Sequence, residues 1–494
     1  MTALTNADLA PVAPEGRTWK THNFAALWVG MAVCIPTYQL AAGLLGQGMS
    51  WSQALLTIAL GNLLVLVPMV LNGHPGTKYG IPFPVLARAS FGVLGANIPS
   101  ILRSLVACGW FGIQCWIGGH AIFQLAVAVV PDTWILPQPF AQALGISSGE
   151  LLGFLAFWFV NLHFIHHGTE SIKRLQTWAA PFLILMGLAL LTWAWVRVGS
   201  LGEILEATAS RPGTPPFSTL FWPGLTAMVG FWATLALNIP DFTRYGSGQR
   251  SQILGQVLGL PTTMILFSFV GIAVTSATRI LFGGEGIWDP VELVGRIGGP
   301  LITLVAMLAL SMVTLSTNVA ANVVSPANGF SNLSPQRISF RAGGYITAVI
   351  GLVMMPWKLI ESSEGYIFTW LIGYSALLGP VLGILLTDYF LLRRTHLDVD
   401  DLYRRGGAYE YARGFNPAAI AALVLGILPN LPGFLAQAFP DARFPGMDSA
   451  LWTWCEGLYV YAWFIGFFVA GFVYRVLMAG TGARTGVGYP GAHA

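Results

Sequence analysis

The chain alternates long apolar stretches with short polar ones, and nearly every apolar stretch has the length of a bilayer crossing. With about 20 residues as the length a helix needs to cross the hydrocarbon, the pattern predicts about twelve transmembrane helices. They fall at 24–47, 52–72, 97–130, 149–167, 176–198, 218–241, 253–280, 296–326, 340–357, 364–390, 416–437 and 453–477. The segment 74–92, HPGTKYGIPFPVLARASFG, is too polar and too proline-rich for a simple span. It is expected as a cytosolic loop with a short interfacial helix.

Two spans carry breaks in their helical pattern. Span 1 contains GMAVCIPTYQLAAGLLG, where Pro36 removes a backbone donor beside Gly30, Thr37, Tyr38 and Gln39. Span 6 contains GLTAMVGFWATLALNIPDFTRY, with Gly230 before an aromatic pair and Pro240 near the end. Breaks in the first and sixth helices are the mark of a five-plus-five inverted repeat, whose freed carbonyls coordinate cations near the bilayer midplane. An ordinary proline kink is the plainer reading of either one alone.

A polar stripe interrupts span 8. In SMVTLSTNVAANVVSPA, residues 311–327, Thr314, Asn318 and Asn322 stand four apart and share one drifting helical face. Each buried amide or hydroxyl costs about 1–3 kcal/mol without a partner, and lipid supplies none. The stripe must face other helices, a cavity or a ligand. Helix-to-helix hydrogen bonding explains any single member; the whole cluster points to a site. In span 3, GWFGIQCWIGG places Trp110 and Gln114 on one face, and Gly118 and Gly119 admit a close neighbour. A packed indole with a satisfied amide is the bland account of that pair.

Composition closes off the soluble classes. Of 494 residues, 55% are hydrophobic and 9% charged, with a mean hydropathy of +0.67; soluble domains carry about 25% charged residues. No basic run interleaved with aromatics is present, so nucleic acid is excluded as a partner; the lipid bilayer is the implied one. The four cysteines lie in or beside apolar spans without metal-ligand spacing and are expected as small buried hydrophobes. The N-terminal segment 1–23 is polar, and is expected as a cytosolic tail and not a cleaved signal. With that tail inside, eighteen of the 24 Lys and Arg residues fall on the cytosolic side and six outside. This is the positive-inside bias of a multi-pass protein of the cell membrane with both termini cytoplasmic. No HExxH, GxSxG, Walker loop or intramembrane carboxylate pair is present, so the chain is not expected to be an enzyme. A channel would need a repeated filter sequence.

Four stretches, GWFGIQCW, VGFWATLALNIPDFTRY, LSTNVAANVVSPA and LGPVLGILLTDYFLLRR…DLYRRGGAYEYARGFN, resemble the nucleobase–cation symporter family of uracil, cytosine, allantoin and hydantoin permeases. The resemblance runs over residues 20–470. It implies an all-α fold of the leucine-transporter type, with residues 24–198 and 218–390 as inverted five-helix repeats. Residues 391–415 would form a cytosolic loop, 416–477 two additional helices and 478–494 a cytosolic tail. By the same resemblance, Trp110 and Trp232 close on a planar ring while Gln114 and Asn322 bond its edge. Ser316 and Thr317, with the carbonyls of Gly30, Val33 and Val313, would hold Na⁺; H⁺ coupling is the other possibility within the family. No organic cofactor is implied.

Amide side chains both donate and accept, as a neutral ring of alternating C=O and N–H requires. The sequence departs from the hydantoin-permease pattern at two places: Cys34 replaces a glutamine and Phe231 a glycine. Both suggest a smaller ring, such as uracil or an unsubstituted ureide. An amino-acid–cation symporter of the same fold is the nearest alternative, and a membrane-embedded enzyme a distant one. HFIHH at 163–167 is expected as an interfacial histidine cluster, Asp241 and Arg244 as a local ion pair, and Asp388 as an anchor for the end of span 10.

Overall fold

The computed structural model describes residues 4–129, 144–167, 169–208, 214–284, 286–297, 299–362 and 365–479. These residues are helical apart from turns and two isolated bridges, Trp19 with Gly246 and Ala412 with Phe415. Among them, nine helices are long and apolar enough to cross a membrane, and the bent pair Thr21–Ala32 and Ile35–Gly46 makes a tenth. Two shorter apolar helices, Ile184–Val198 and Phe340–Val353, fall on the fifth and ninth predicted spans. Every predicted stretch is thus helical. Leu301, Val353 and Phe472 are 70–71% exposed, as side chains that face lipid must be. The tail beyond Ala479 lies outside the described residues.

Lipid tails are as apolar as leucine, so these helices associate through close packing and not through burial of grease. Small residues do that work here. A Cβ at Gly255 or Gly259 would collide with span 1 at Phe24, Ala25 or Trp28. One at Gly379 or Gly383 would strike the backbone of Trp463 or Phe467 in span 12, and one at Gly118 or Gly119 would strike span 4.

Span 1 bends by 59° at its break. Pro36 cannot donate to Ala32, and the Cys34 amide takes that carbonyl instead at 3.0 Å. The Thr37 amide turns to Cys34 O at 3.1 Å. Gly30 O and Val33 O thereby lose the donors four residues on that a regular helix would give them. The break follows directly from the proline.

Span 6 differs from expectation. The helix Phe217–Asn238 runs unbroken through Gly230, and the interruption comes at Ile239, before the short helix Pro240–Thr243. Gly230 serves packing: a Cβ there would lie 2.7 Å from Leu371 O, and the Tyr374 hydroxyl donates to Gly230 O at 2.7 Å. Because Pro240 has no N–H, Ala236 O takes its hydrogen bond from the Asn72 amide at 2.8 Å. Span 8 runs from Pro300 to Asn322, turns at Val323 and resumes over Val324–Leu333.

The segment 74–92 is not an interfacial loop. Span 2 continues to Tyr79, and the helix Phe83–Phe91 is buried along its whole length. The Asp241 carboxylate accepts from the Phe83 amide at 2.9 Å and so caps that helix. The expected Asp241–Arg244 ion pair does not form; Arg244 donates to Asp8 O and to the Tyr245 hydroxyl. Arg88 is fully buried, donating to Leu4 O, Leu402 O and the Asn332 amide oxygen. Burial pushes its guanidinium down to about 10, so it stays charged at neutral pH. The N-terminal segment, the Phe83–Phe91 helix, the end of span 8 and the 397–411 loop are thereby clamped at one end of the molecule. Asp388 does anchor the end of span 10, through Arg393 at 2.7 Å and the Tyr474 hydroxyl at 2.9 Å.

Candidate functional site

The bend in span 1 opens onto a small cavity in the middle of the helix bundle. Trp110 and Gln114 of span 3, Phe231 and Trp232 of span 6, Asn322 and Thr317 of span 8, and Cys34 of span 1 all line it. Six of these seven are the residues expected to contact substrate, and the seventh, Thr317, is one of those expected to hold a cation; the structure brings them to one cavity. Their assembly follows from local rules: the i, i+4 spacing of Trp110 and Gln114 presents both to one side, and the span 8 stripe faces the same space.

The rings do not yet form a slot. Phe231 meets Trp110 edge-on at 5.4 Å and Trp232 edge-on at 5.0 Å, while Trp232 also packs edge-on against Trp28 at 5.1 Å. The cavity measures about 30 Å³, room for a water or two. That is too small for a planar six-membered ring, and Phe231 is the lining side chain in edge-on contact with both indoles. Replacing Phe231 by alanine should admit bulkier rings: a 5-benzyl-substituted hydantoin, tested as competitor against a small ring, is expected to gain inhibition in the variant. Unchanged competition would place Phe231 outside the substrate path.

Polar atoms at this cavity want partners. Gln114 Oε1 and Trp232 Nε1 are both buried without a hydrogen bond, one acceptor and one donor. Asn322 donates to Asn318 Oδ1 at 3.0 Å, Asn318 to Asn161 Oδ1 at 3.1 Å, and Asn161 to Phe157 O at 2.9 Å. This amide relay engages one N–H of Asn322, a residue of the cavity lining. Asn318 bonds helix to helix, whereas the Thr314 hydroxyl is buried without a partner. Asn161, a lone amide in apolar span 4, was the sequence signal for the relay's far end. Pro36, already marked as the breaker of span 1, completes the lining with Thr234, Leu235, Met31 and Ala321, and nothing in the residue types of those four marks them.

On the other side of the break, the Thr317 hydroxyl lies 3.5 Å from Gly30 O, one of the two carbonyls released by the bend. Val33 and Val313 pack in one apolar cluster beside it, and Ser316 is buried. Val313 O lies within the intact helix Pro300–Asn322 and would share a cation with its helical bond. At the HFIHH stretch, His166 bonds the Tyr345 hydroxyl and His167 the carbonyl of His163. Cys34, Cys108 and Cys115 are buried as expected, whereas Cys455 is only half-buried.

A broken membrane helix whose bend opens into an aromatic–amide cavity is the architecture of a small-molecule transporter. Comparison with known proteins makes this specific. The family of permeases for cytosine/purines, uracil, thiamine and allantoin matches residues 11–466, and the chain belongs to that family. It is a transporter and not an enzyme. It is 46% identical over 490 residues to the purine-uracil permease NCS1 of Arabidopsis thaliana, covering 98% of this chain and 79% of the relative. It is 42% identical over 480 residues to the allantoin permease of Bacillus subtilis, covering 96% and 93%. Mhp1, a nucleobase-cation-symport-1 family transporter solved in a closed conformation with bromovinylhydantoin bound, superposes with a TM-score of 0.76 at 25% identity, over 96% of each chain. MhsT, solved with L-phenylalanine, shares the fold alone, with a TM-score of 0.50 at 15% identity over 92% of this chain and 97% of the other.

Proposed function

We propose that this protein carries a nucleobase or related cyclic ureide (uracil, hydantoin, allantoin or cytosine) into the cell by cation-coupled alternating access, with Na⁺ as the coupling ion. The cavity carries the reading: two indoles, two amides and no charged side chain line it. A neutral planar ring with alternating donors and acceptors matches that lining. The zwitterion of an amino acid would leave two charges without a counter-charge among the lining residues, which weighs against the amino-acid alternative that shares the fold. The names of the relatives point the same way.

The coupling ion sits, on this proposal, among Gly30 O, Val33 O, Val313 O and the hydroxyls of Ser316 and Thr317. Oxygen ligands suit a hard cation, and the lack of a carboxylate suits a monovalent one. Residues 24–198 and 218–390 act as the two inverted repeats that rock about this point, in the cell membrane with both termini cytoplasmic. The N-terminal segment is held by Arg88, by Arg244 after span 6 and by Tyr403 in the loop after span 10, on the side where the Lys and Arg residues gather, which supports that orientation.

Uptake of radiolabelled uracil, cytosine, allantoin and hydantoin into proteoliposomes tests the substrate class, and failure of every ring to enter or compete would overturn it. Thr317→Ala should raise the Na⁺ concentration for half-maximal uptake by about tenfold and weaken substrate affinity with it, because coupling between two ligands is reciprocal. Transport driven by a pH gradient alone, indifferent to Na⁺ and to this substitution, would assign coupling to H⁺.

A further inference from the structure

Span 3 carries a charge at membrane depth that the ring cavity does not use. Arg103 lies inside the helix Asn97–Val129 and is 1% exposed. A buried intramembrane charge is expensive and marks a functional position unless its partners account for it. Its Nε donates to Thr234 O and to Asn238 Oδ1, each at 3.0 Å, and its Nη1 is buried without a hydrogen bond. Among the described residues no ion pair joins Arg103 to a carboxylate. Asp241 is in the mirror situation. Its oxygens accept from the Phe83 amide at 2.9 Å and the Asn238 amide at 3.4 Å, and it too makes no ion pair. Asn238, itself fully buried, thus stands between two buried opposite charges, bonded to both.

We propose that Arg103 is a positioning residue of transport: through Thr234 O and Asn238 it holds span 6 against span 3 on the cytosolic side of the ring cavity, and this contact parts when the ring leaves. The inference rests on the transport reading above. Location supports it. Arg103 precedes Trp110 by seven residues, two turns or about 10 Å along the helix, toward the end clamped by the N-terminal segment. Thr234 lines the ring cavity beside Trp232, and Asp241 extends the chain of contacts to the Phe83–Phe91 helix. The chemistry supports it as well. Arg393 and Asp388 meet directly at 2.7 Å, and parting such a pair strands two charges at once. The Arg103–Asn238–Asp241 chain gives up only contacts to neutral groups between its charges, one of them long for a hydrogen bond. Both charges gain hydration when water reaches them. The first pair is built to stay closed, the second to open.

Cys34 lines the ring cavity and serves as a native reporter. A membrane-impermeant maleimide is added to inside-out or right-side-out vesicles holding the full-length protein, and peptide mapping assigns the Cys34 adduct. Arg103→Gln should raise labelling of Cys34 from the cytosolic face several-fold and leave labelling from the outer face unchanged. Asn238→Leu, which keeps both charges but removes the amide between them, should do the same. Arg103→Lys, which keeps a charged donor, should return labelling toward the wild-type level. Loosened folding alone would raise labelling from both faces, so an equal rise on both sides would overturn the proposal. Labelling unchanged in both folded variants, or no recovery in Arg103→Lys, would overturn it too. Protection of wild-type Cys34 by excess uracil or hydantoin tests the transport reading separately. Its absence would remove the substrate from this cavity, whereas the sidedness of labelling in the Arg103 variants does not depend on a ring being bound.

Discussion

Replacing Asp388 by alanine is expected to cost about 3–5 kcal/mol of folding stability, the range for removing one member of a buried ion pair. The carboxylate is 1% exposed. It accepts from Arg393 Nε at 2.7 Å and the Ser90 hydroxyl at 3.1 Å on one oxygen, and from the Tyr474 hydroxyl at 2.9 Å on the other. Truncation leaves a buried guanidinium whose remaining side-chain bonds, to Ala89 O and the Tyr411 hydroxyl, offer no counter-charge. The loss should therefore exceed that of the double replacement Asp388→Ala with Arg393→Met, which removes the stranded charge as well. Thermal unfolding in detergent, arranged as a double-mutant cycle, reads the difference. A double variant no more stable than Asp388→Ala would show that the network acts as separate hydrogen bonds and not as a charge pair. Functionally, the same carboxylate ties span 10 to span 12 and to the Phe83–Phe91 helix, so this variant should lose protein before it loses affinity.

That network shows where sequence reasoning stops. Hydropathy located the helices because a bilayer demands long apolar runs with internally paired backbone, and Pro36 located the span 1 break because a missing N–H has a local consequence. Gly230 misled for the opposite reason. A glycine before an aromatic pair is compatible with either a break or a close helix approach, and only the position of Leu371 O decides between them. The burial of the Phe83–Phe91 helix was equally invisible, since its partners are remote in the chain; even its cap, Asp241, lies 158 residues from Phe83. The same limit applies to Phe231. The chain says it is large, but the geometry says that it stands edge-on to both indoles. Residue types marked the cavity's polar and aromatic members; its aliphatic wall, from Met31 to Leu235, carries no mark because any apolar residue of the right size would serve.

Replacing Asn322 by alanine is expected to weaken substrate binding by about 1–3 kcal/mol, roughly 5- to 150-fold in Kd. The amide stands at the point where the two halves of the proposed mechanism meet. It follows the Ser316–Thr317 pair on the same helix by one to two turns, and it is the last residue of that helix before the turn at Val323. One of its two N–H groups is committed to Asn318, so what the substrate would lose in Asn322→Ala is the amide oxygen or the second N–H, and a ring group is left buried and unpaired. A structural effect alone would arise from breaking the amide relay, and Asn161→Leu separates the two, because it cuts the relay at its far end without touching the cavity. Equilibrium binding of a radiolabelled ring to purified protein should weaken strongly in Asn322→Ala and weakly in Asn161→Leu. Equal losses in both would make Asn322 a support for the helix pair, and unchanged affinity in Asn322→Ala would move the substrate away from this cavity. If the contact is as proposed, the same variant should also raise the Na⁺ requirement, since one helix touches both ligands and loss of the substrate's hold on span 8 weakens the ion's by the same factor.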